Sequence, residues 1–233
     1  MLKIRQRLQW AYQTFFRADL ILLIAVLVAI GGTYAFLKVF DEVREGETQA
    51  FDQWAIDLSG RLPHTPGIEQ VADDITALGG IAVLTLMTLA VTGHLLLSRK
   101  YAAIALLLSA VIGGTVLTLS LKEFIDRNRP DSSLHLTHVA TQSFPSGHAM
   151  LSAVVYLTLG ALLSRLTRDR RLKFYYIAIA ILLTGLIGLS RVYLRVHWPT
   201  DVLAGWSAGL VWAIGCWSVA RWLQHRGKVE KAS

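Results

Sequence analysis

YAAIALLLSAVIGGTVLTLSL, residues 101–121, runs without a charged side chain straight into KEFIDRNRP, residues 122–130. As a helix the first string reaches about 31 Å, enough to cross the hydrocarbon layer of a bilayer. It then meets cations: Lys122 and Arg129 stand seven residues apart, with Pro130 directly behind. An apolar span that ends in a fixed pattern of charge sets the fold class and marks where chemistry is to be sought.

Five further apolar stretches flank this one, at 20–40, 75–97, 148–163, 174–189 and 202–223. The chain has 233 residues, 54% hydrophobic and 17% charged, with a mean hydropathy of +0.48. That leaves too little polar surface for a soluble domain of this size. The expected fold class is all-α: a single integral membrane domain over residues 1–233, built as a bundle of six transmembrane helices. The stretches 148–163 and 174–189 reach only about 24 Å as helices. Motifs at their outer ends are therefore expected to lie slightly sunk, near headgroup depth. A basic segment (Lys3, Arg5, Arg7, Arg17) precedes the first stretch, but no small-residue cleavage site follows before Asp41. It reads as a retained anchor rather than a signal peptide. Cys216 is the single cysteine, so no intramolecular disulfide can form.

Charge gives the orientation. Fifteen of the 23 Lys and Arg fall in four segments: the N-terminus, Arg99–Lys100, Arg165–Lys173, and Arg221 to the C-terminus. These alternate with the remaining loops and share one side, the cytoplasmic one by the positive-inside rule. The Asp41–Asp74 loop carries nine acidic residues against two basic ones, which fits the opposite side. The reading is a multi-pass protein of the cytoplasmic membrane with both termini cytoplasmic. The net charge of +7 is then a topology signal with some attraction to anionic lipid, and no nucleic-acid partner is expected. Within the outer loop Phe51, Trp54, Ala55 and Leu58 recur at helical spacing opposite Asp52 and Asp57. That pattern predicts a short interfacial helix, or one capping the mouth of the bundle. Gly205 and Gly209 form a GxxxG pair read as internal helix packing, with Gly113–Gly114, Gly185 and Gly188 marking other close approaches.

Three strings emerge on the outer side: KEFIDRNRP (122–130), PSGH (145–148) and SRVYLRVHWPTD (190–201). Lys122 and Arg129 share a face if the helix continues through both, and Pro130 disfavours helix at Arg129. Boundary cations often serve only as snorkelling anchors, yet this side is otherwise poor in them. Ser146 suits an N-cap and Gly147 a close backbone approach, so the free N–H groups behind them can seat an anion. An ordinary capped helix start accounts for both residues, but not for His148 at the head of an apolar helix. His197 and Asp201 stand four apart, and Pro199 suits the first helical turn. Asp201 can then reach one imidazole nitrogen and leave the other facing the site. Arg191 adds a guanidinium shaped for bidentate contact with phosphate oxygens.

The three strings match the pattern K-x6-RP, PSGH and SR-x5-H-x3-D without a departure at a key position. From Ile75 to Leu223 the chain resembles the type 2 phosphatidic acid phosphatase superfamily, which includes bacterial lipid phosphatases and, more distantly, vanadium haloperoxidases. The resemblance implies a six-helix membrane bundle that uses no metal or other cofactor and takes a lipid phosphate as substrate. It implies that His197 is the nucleophile that becomes phosphohistidine, with Asp201 its orienting partner. His148 resembles the general acid that protonates the leaving oxygen. Lys122, Arg129, Ser146, Gly147 and Arg191 resemble the phosphate-binding set. Elementary chemistry agrees, since phosphoryl transfer needs mainly positioning and charge neutralisation. The resemblance allows undecaprenyl diphosphate, phosphatidylglycerol phosphate, phosphatidic acid and phosphorylated lipid A.

Three rival readings stand beside it. A zinc enzyme built from His135, His138, His148 and His197 would place a metal among three cations that repel it. A phosphotransferase passing phosphate to another lipid, such as lipid A, would carry the same motifs. A lipid carrier would have no use for both histidines. His135 and His138 otherwise read as exposed loop residues near the site. His64 reads as a loop residue too, and His94 and His225 fall toward the cytoplasmic side.

Overall fold

The computed structural model describes residues 2–130 and 142–225; His135 and His138 lie outside them. Among the described residues every regular element is a helix: α1 (Leu2–Glu45), α2 (Gln49–Gly60), α3 (Pro66–Ala77), α4 (Ile81–Leu97), α5 (Tyr101–Phe124), α6 (Gly147–Arg165), α7 (Arg170–Tyr193) and α8 (Pro199–His225). Five stretches are long and apolar enough to cross a bilayer: Leu22–Glu45 of α1, α5, α6, α7, and Pro199–Leu223 of α8. The expected all-α membrane architecture is the one found.

The second expected span departs from its reading. Rather than one helix over 75–97, the chain forms α3 and α4, bent by 45° at a short break. Together they make a sixth candidate crossing. The break falls at Gly79 and Gly80, the residue type that costs a helix interior most after proline. Gly80 is extended (φ −73°, ψ 151°). The break is held by tertiary contact as well: a Cβ on Gly79 would meet Ile187 Cγ2 at 2.5 Å, and Tyr156 donates its hydroxyl to the Leu78 carbonyl at 2.9 Å.

The two short apolar stretches also sit inside longer helices. α6 has 19 residues and α7 has 24, so α7 reaches about 36 Å. Charged residues at both ends of α7 extend the helix without being apolar, because long cationic side chains can turn back toward water. Asp169 caps its start, accepting from the Arg171 N–H at 2.8 Å. The shortness that was expected to sink the motif at its outer end is therefore not a property of α7.

α6 occupies the centre. Ala149, Met150, Ala153, Val154 and Val155 are fully buried against α5, α7 and α8, as a helix apolar on all sides must be. The GxxxG pair lies in this core. A Cβ on Gly205 would stand 2.7 Å from the Ser146 carbonyl oxygen, and one on Gly209 2.5 Å from that of Met150. The α8 backbone thus rests directly on α6, in the internal role expected. Gly188 accepts the Trp206 ring and Gly113 that of Trp212, whereas Gly185 has nothing within 4 Å and marks no close approach.

α2 follows its expected pattern on one face only. Phe51, Trp54 and Leu58 are exposed, Trp54 at 59%, while Asp52 is 1% exposed. Asp57 points outward and Asp52 inward, so the two carboxylates do not share a polar side.

The α6–α8 seam gives a direct test. Gly209→Ala should destabilise the protein by about 1–3 kcal/mol, the scale of overpacking a filled interior. Gly185→Ala, in open space within a helix, should be neutral or slightly stabilising. Thermal unfolding in one detergent would compare them, and equal shifts would count against backbone contact at Gly209.

Candidate active site

The C-terminal end of α5, the start of α6 and the turn between α7 and α8 meet at one end of the bundle. Lys122 lies in the last turn of α5. The helix stops at Phe124, and Ile125 is extended (φ −130°, ψ 113°), so Lys122 and Arg129 do not share a helical face as the spacing suggested. Residues 125–130 are instead drawn across the head of α8. The Arg127 carbonyl accepts from Ser143 N–H at 3.2 Å, and the Asn128 carbonyl accepts from the Trp198 ring at 2.9 Å. The two cations still converge. Lys122 Nζ donates to the Gln142 carbonyl at 2.7 Å, and Arg129 Nη2 donates to the same oxygen at 3.3 Å.

His197 sits between α7 and α8, 2% exposed. Its Nδ1 lies 3.4 Å from Asp201 Oδ2, and its Nε2 lies 3.2 Å from Arg129 Nη1. An N–H donor facing Nε2 assigns the other ring proton to Nδ1, directed at the carboxylate. Arg129 Nη1 is also bonded to the Val196 carbonyl. Burial pushes His197 down to about 4, with Asp201 opposing the shift and Arg129 and Arg191 adding to it. The ring is therefore neutral at pH 7. Burial also lowers Arg129, again opposed by Asp201, and its guanidinium remains charged.

The other expected residues fall around this ring. Ser146 caps α6, its Oγ accepting from Ala149 N–H at 3.5 Å. A Cβ on Gly147 would lie 3.7 Å from Lys122 Cε, so that turn and that cation are neighbours. His148 follows in the first turn of α6, beside Gly79 at the α3–α4 break. Arg191, His197, Arg129 and Lys122 are all within electrostatic range of it. Arg191 is 3% exposed and donates Nη1 to Thr76 Oγ1 of α3 at 3.1 Å. Its Nε finds no hydrogen-bond partner among the described residues. All eight residues singled out from the sequence thus stand around one end of α6.

Sequence reasoning missed a second group. Asp201 is fully buried and bonded through Oδ2 to Ser143 Oγ and to Trp198 N–H at 3.0 Å. Through Oδ1 it pairs with Arg127 at 2.6 Å. Arg127 pairs equally closely with Asp52 of α2, at 2.6 Å. Arg127 lies inside KEFIDRNRP, but nothing in its spacing distinguishes it from a solvated arginine.

Residues 100–225, more than half of the chain, match the family model of the PAP2 superfamily. The chain belongs to that superfamily. This PAP2 protein is 35% identical over 180 residues to phosphatidylglycerophosphatase B of Bacillus subtilis, covering 76% of this chain and 86% of that one. A shorter stretch of 67 residues is 42% identical to an undecaprenyl-diphosphatase of Sulfolobus acidocaldarius, covering 29% of this chain and 28% of that one. In three dimensions it superposes on the crystal structure of the transmembrane PAP2-type phosphatidylglycerolphosphate phosphatase of Bacillus subtilis with a TM-score of 0.76 and 30% identity. That match covers 85% of this chain and 96% of the other. This PAP2 protein is accordingly a multi-pass membrane protein.

The burial of His197 can be read directly. In protein with labelled histidine, its imidazole should titrate with a midpoint near 4 by nitrogen NMR. A midpoint close to the ordinary value of about 6.5 would mean the ring is open to water.

Proposed function

We propose that this protein is a membrane lipid phosphatase that hydrolyses a phosphate or diphosphate monoester through a phosphohistidine on His197. The observation that carries the reading is the His197 ring: buried, neutral, tied through Nδ1 to Asp201, with Nε2 facing the cationic pocket. A neutral imidazole has a lone pair to give, and the carboxylate behind it steadies the positive charge that forms on attack.

In the first step Nε2 attacks phosphorus, the bond from phosphorus to the lipid oxygen breaks, and His148 gives its proton to that oxygen. In the second step His148 takes a proton from water, the water oxygen attacks phosphorus, and the phosphorus–nitrogen bond breaks to free His197 and phosphate. Lys122, Arg129, Arg191, the Ser146 hydroxyl and the Gly147 N–H hold the remaining phosphate oxygens. Three cations supply the neutralisation that a metal supplies elsewhere, so the reaction is proposed to be metal-independent.

Similarity to the Bacillus phosphatidylglycerophosphatase supports phosphatidylglycerol phosphate as the substrate class, with undecaprenyl diphosphate and phosphatidic acid as the nearest alternatives. The charge pattern of the loops supports an active site on the outer face of the cytoplasmic membrane and cytoplasmic termini. Transfer to another lipid instead of water is separated by release of free phosphate from one purified lipid.

His197→Ala should lower kcat by roughly four orders of magnitude or more, as loss of a covalent nucleophile does. The protein should remain folded, because Asp201 keeps Arg127, Ser143 and the Trp198 N–H. Near-normal turnover would sink the mechanism. Vanadate, which adopts the five-coordinate geometry of the transferring group, should inhibit, whereas chelators should leave activity intact. Inactivation by chelation with recovery on adding zinc would replace this reading with a metal one. For orientation, Trp54→Cys in a Cys216→Ser background should react with an impermeant thiol reagent on intact cells, and Arg168→Cys should not. The reverse labelling would turn the site to the cytoplasm.

A further inference from the structure

We infer that Asp52 and Arg127 are positioning residues for the proposed phosphoryl transfer, holding the Asp201 carboxylate in place behind His197. The inference rests on the proposed roles of His197 and Asp201, and adds two residues that no motif contains in a named role.

The Arg127 guanidinium is a bridge between two buried carboxylates. Its Nη1 donates to Asp201 Oδ1 at 2.6 Å and to Thr200 Oγ1 at 2.8 Å. Its Nη2 donates to Asp52 Oδ2 at 2.6 Å and to Thr48 Oγ1 at 3.2 Å. Asp52 in turn accepts from Thr200 N–H at 3.1 Å and from Thr200 Oγ1 at 2.7 Å. These bonds anchor α2 to the first turn of α8. They also divide the work of Asp201: Oδ1 is committed to Arg127, which leaves Oδ2 for the His197 Nδ1, Ser143 and the Trp198 N–H.

Charge explains why two acids are present. A guanidinium paired with Asp201 alone would neutralise the carboxylate that the phosphohistidine imidazolium needs behind it. With Asp52 on its other edge, the Asp52–Arg127–Asp201 group keeps one net negative charge, matched to one developing positive ring. The fork geometry of arginine is required, since one planar group must serve both carboxylates at once. Arg127 does not turn toward the phosphate pocket; its guanidinium carbon lies 5.6 Å from the centre of the Trp198 ring. Both residues act through Asp201, which makes them positioning rather than catalytic.

Full-length Arg127→Lys and Asp52→Asn, in lipid nanodiscs with a short-chain phosphatidic acid as probe, test this. Lysine keeps the charge but cannot bridge, and asparagine removes the second charge. Each should lower kcat about tenfold, the scale of coupling between hydrogen-bonded neighbours, with KM unchanged because the phosphate cradle is untouched. In an Asp201→Asn background the same substitutions should cost nothing further. Wild-type kcat in Arg127→Lys, a raised KM with kcat intact, or an undiminished loss in the Asp201→Asn background would each overturn the inference. If Asp52→Asn yields no folded protein, Arg127→Lys alone decides, singly and in that background. Failure of the underlying mechanism shows separately, as absence of a labelled phosphohistidine when the wild-type enzyme is quenched with radiolabelled substrate.

Discussion

A carboxylate with no exposure to water has to be matched by donors, and in this protein that demand falls on Asp201. Leaving such a charge unpaired in a membrane bundle would cost several kcal/mol. Four groups from three parts of the chain answer it: His197 and the Trp198 N–H from the turn before α8, Ser143 from the segment before α6, and Arg127 from the segment after α5. Each partner carries its segment with it. The abrupt end of α5 at Phe124, the path of residues 125–130 across α8, and the seat of α2 all follow from where Arg127 must go.

Helix packing supplies the second constraint. α8 lies on α6 at two glycines, so close that the Ser146 N–H donates to the Asp201 carbonyl at 3.0 Å. That contact sets the register between the capped turn of α6 and the His197 turn with little freedom. Small residues are the means by which membrane helices approach this far. The broken span makes a comparable contribution from the other side. Thr76 of α3 holds Arg191, and Gly79, where Ile187 leaves no space for a side chain, brings the α3–α4 break against His148.

An apolar cavity of about 800 Å³ lies between α1, α5 and α8, lined by residues that include Phe36, Leu117, Leu121 and Trp212. Leu121 directly precedes Lys122, so an apolar surface and a cationic one adjoin along α5. Such adjacency suits a molecule that is hydrocarbon at one end and phosphate at the other. The site and the scaffold are thus products of one arrangement, with charge gathered at helix ends and apolar surface along helix sides.

By itself the sequence determined most of the helices and the candidate site side chains. Apolar runs long enough to span, with cations at their ends, leave a membrane helix as the one backbone-satisfying solution. Lys122, Arg129, Ser146, Gly147, His148, Arg191, His197 and Asp201 were legible because their spacing is local and their residue types are costly at such places. The face of α2 bearing Phe51, Trp54 and Leu58 was legible for the same reason. Tertiary structure alone decided the rest. Helix ends ran past the hydropathy limits, since charged side chains continue a helix wherever they can reach water. Lys122 and Arg129 met through a shared carbonyl rather than a shared helical face. The pairing of Asp52, Arg127 and Asp201 joins residues 75 and 74 positions apart in the chain. No periodicity or spacing reports a contact of that range; only the folded bundle brings one guanidinium between two buried acids.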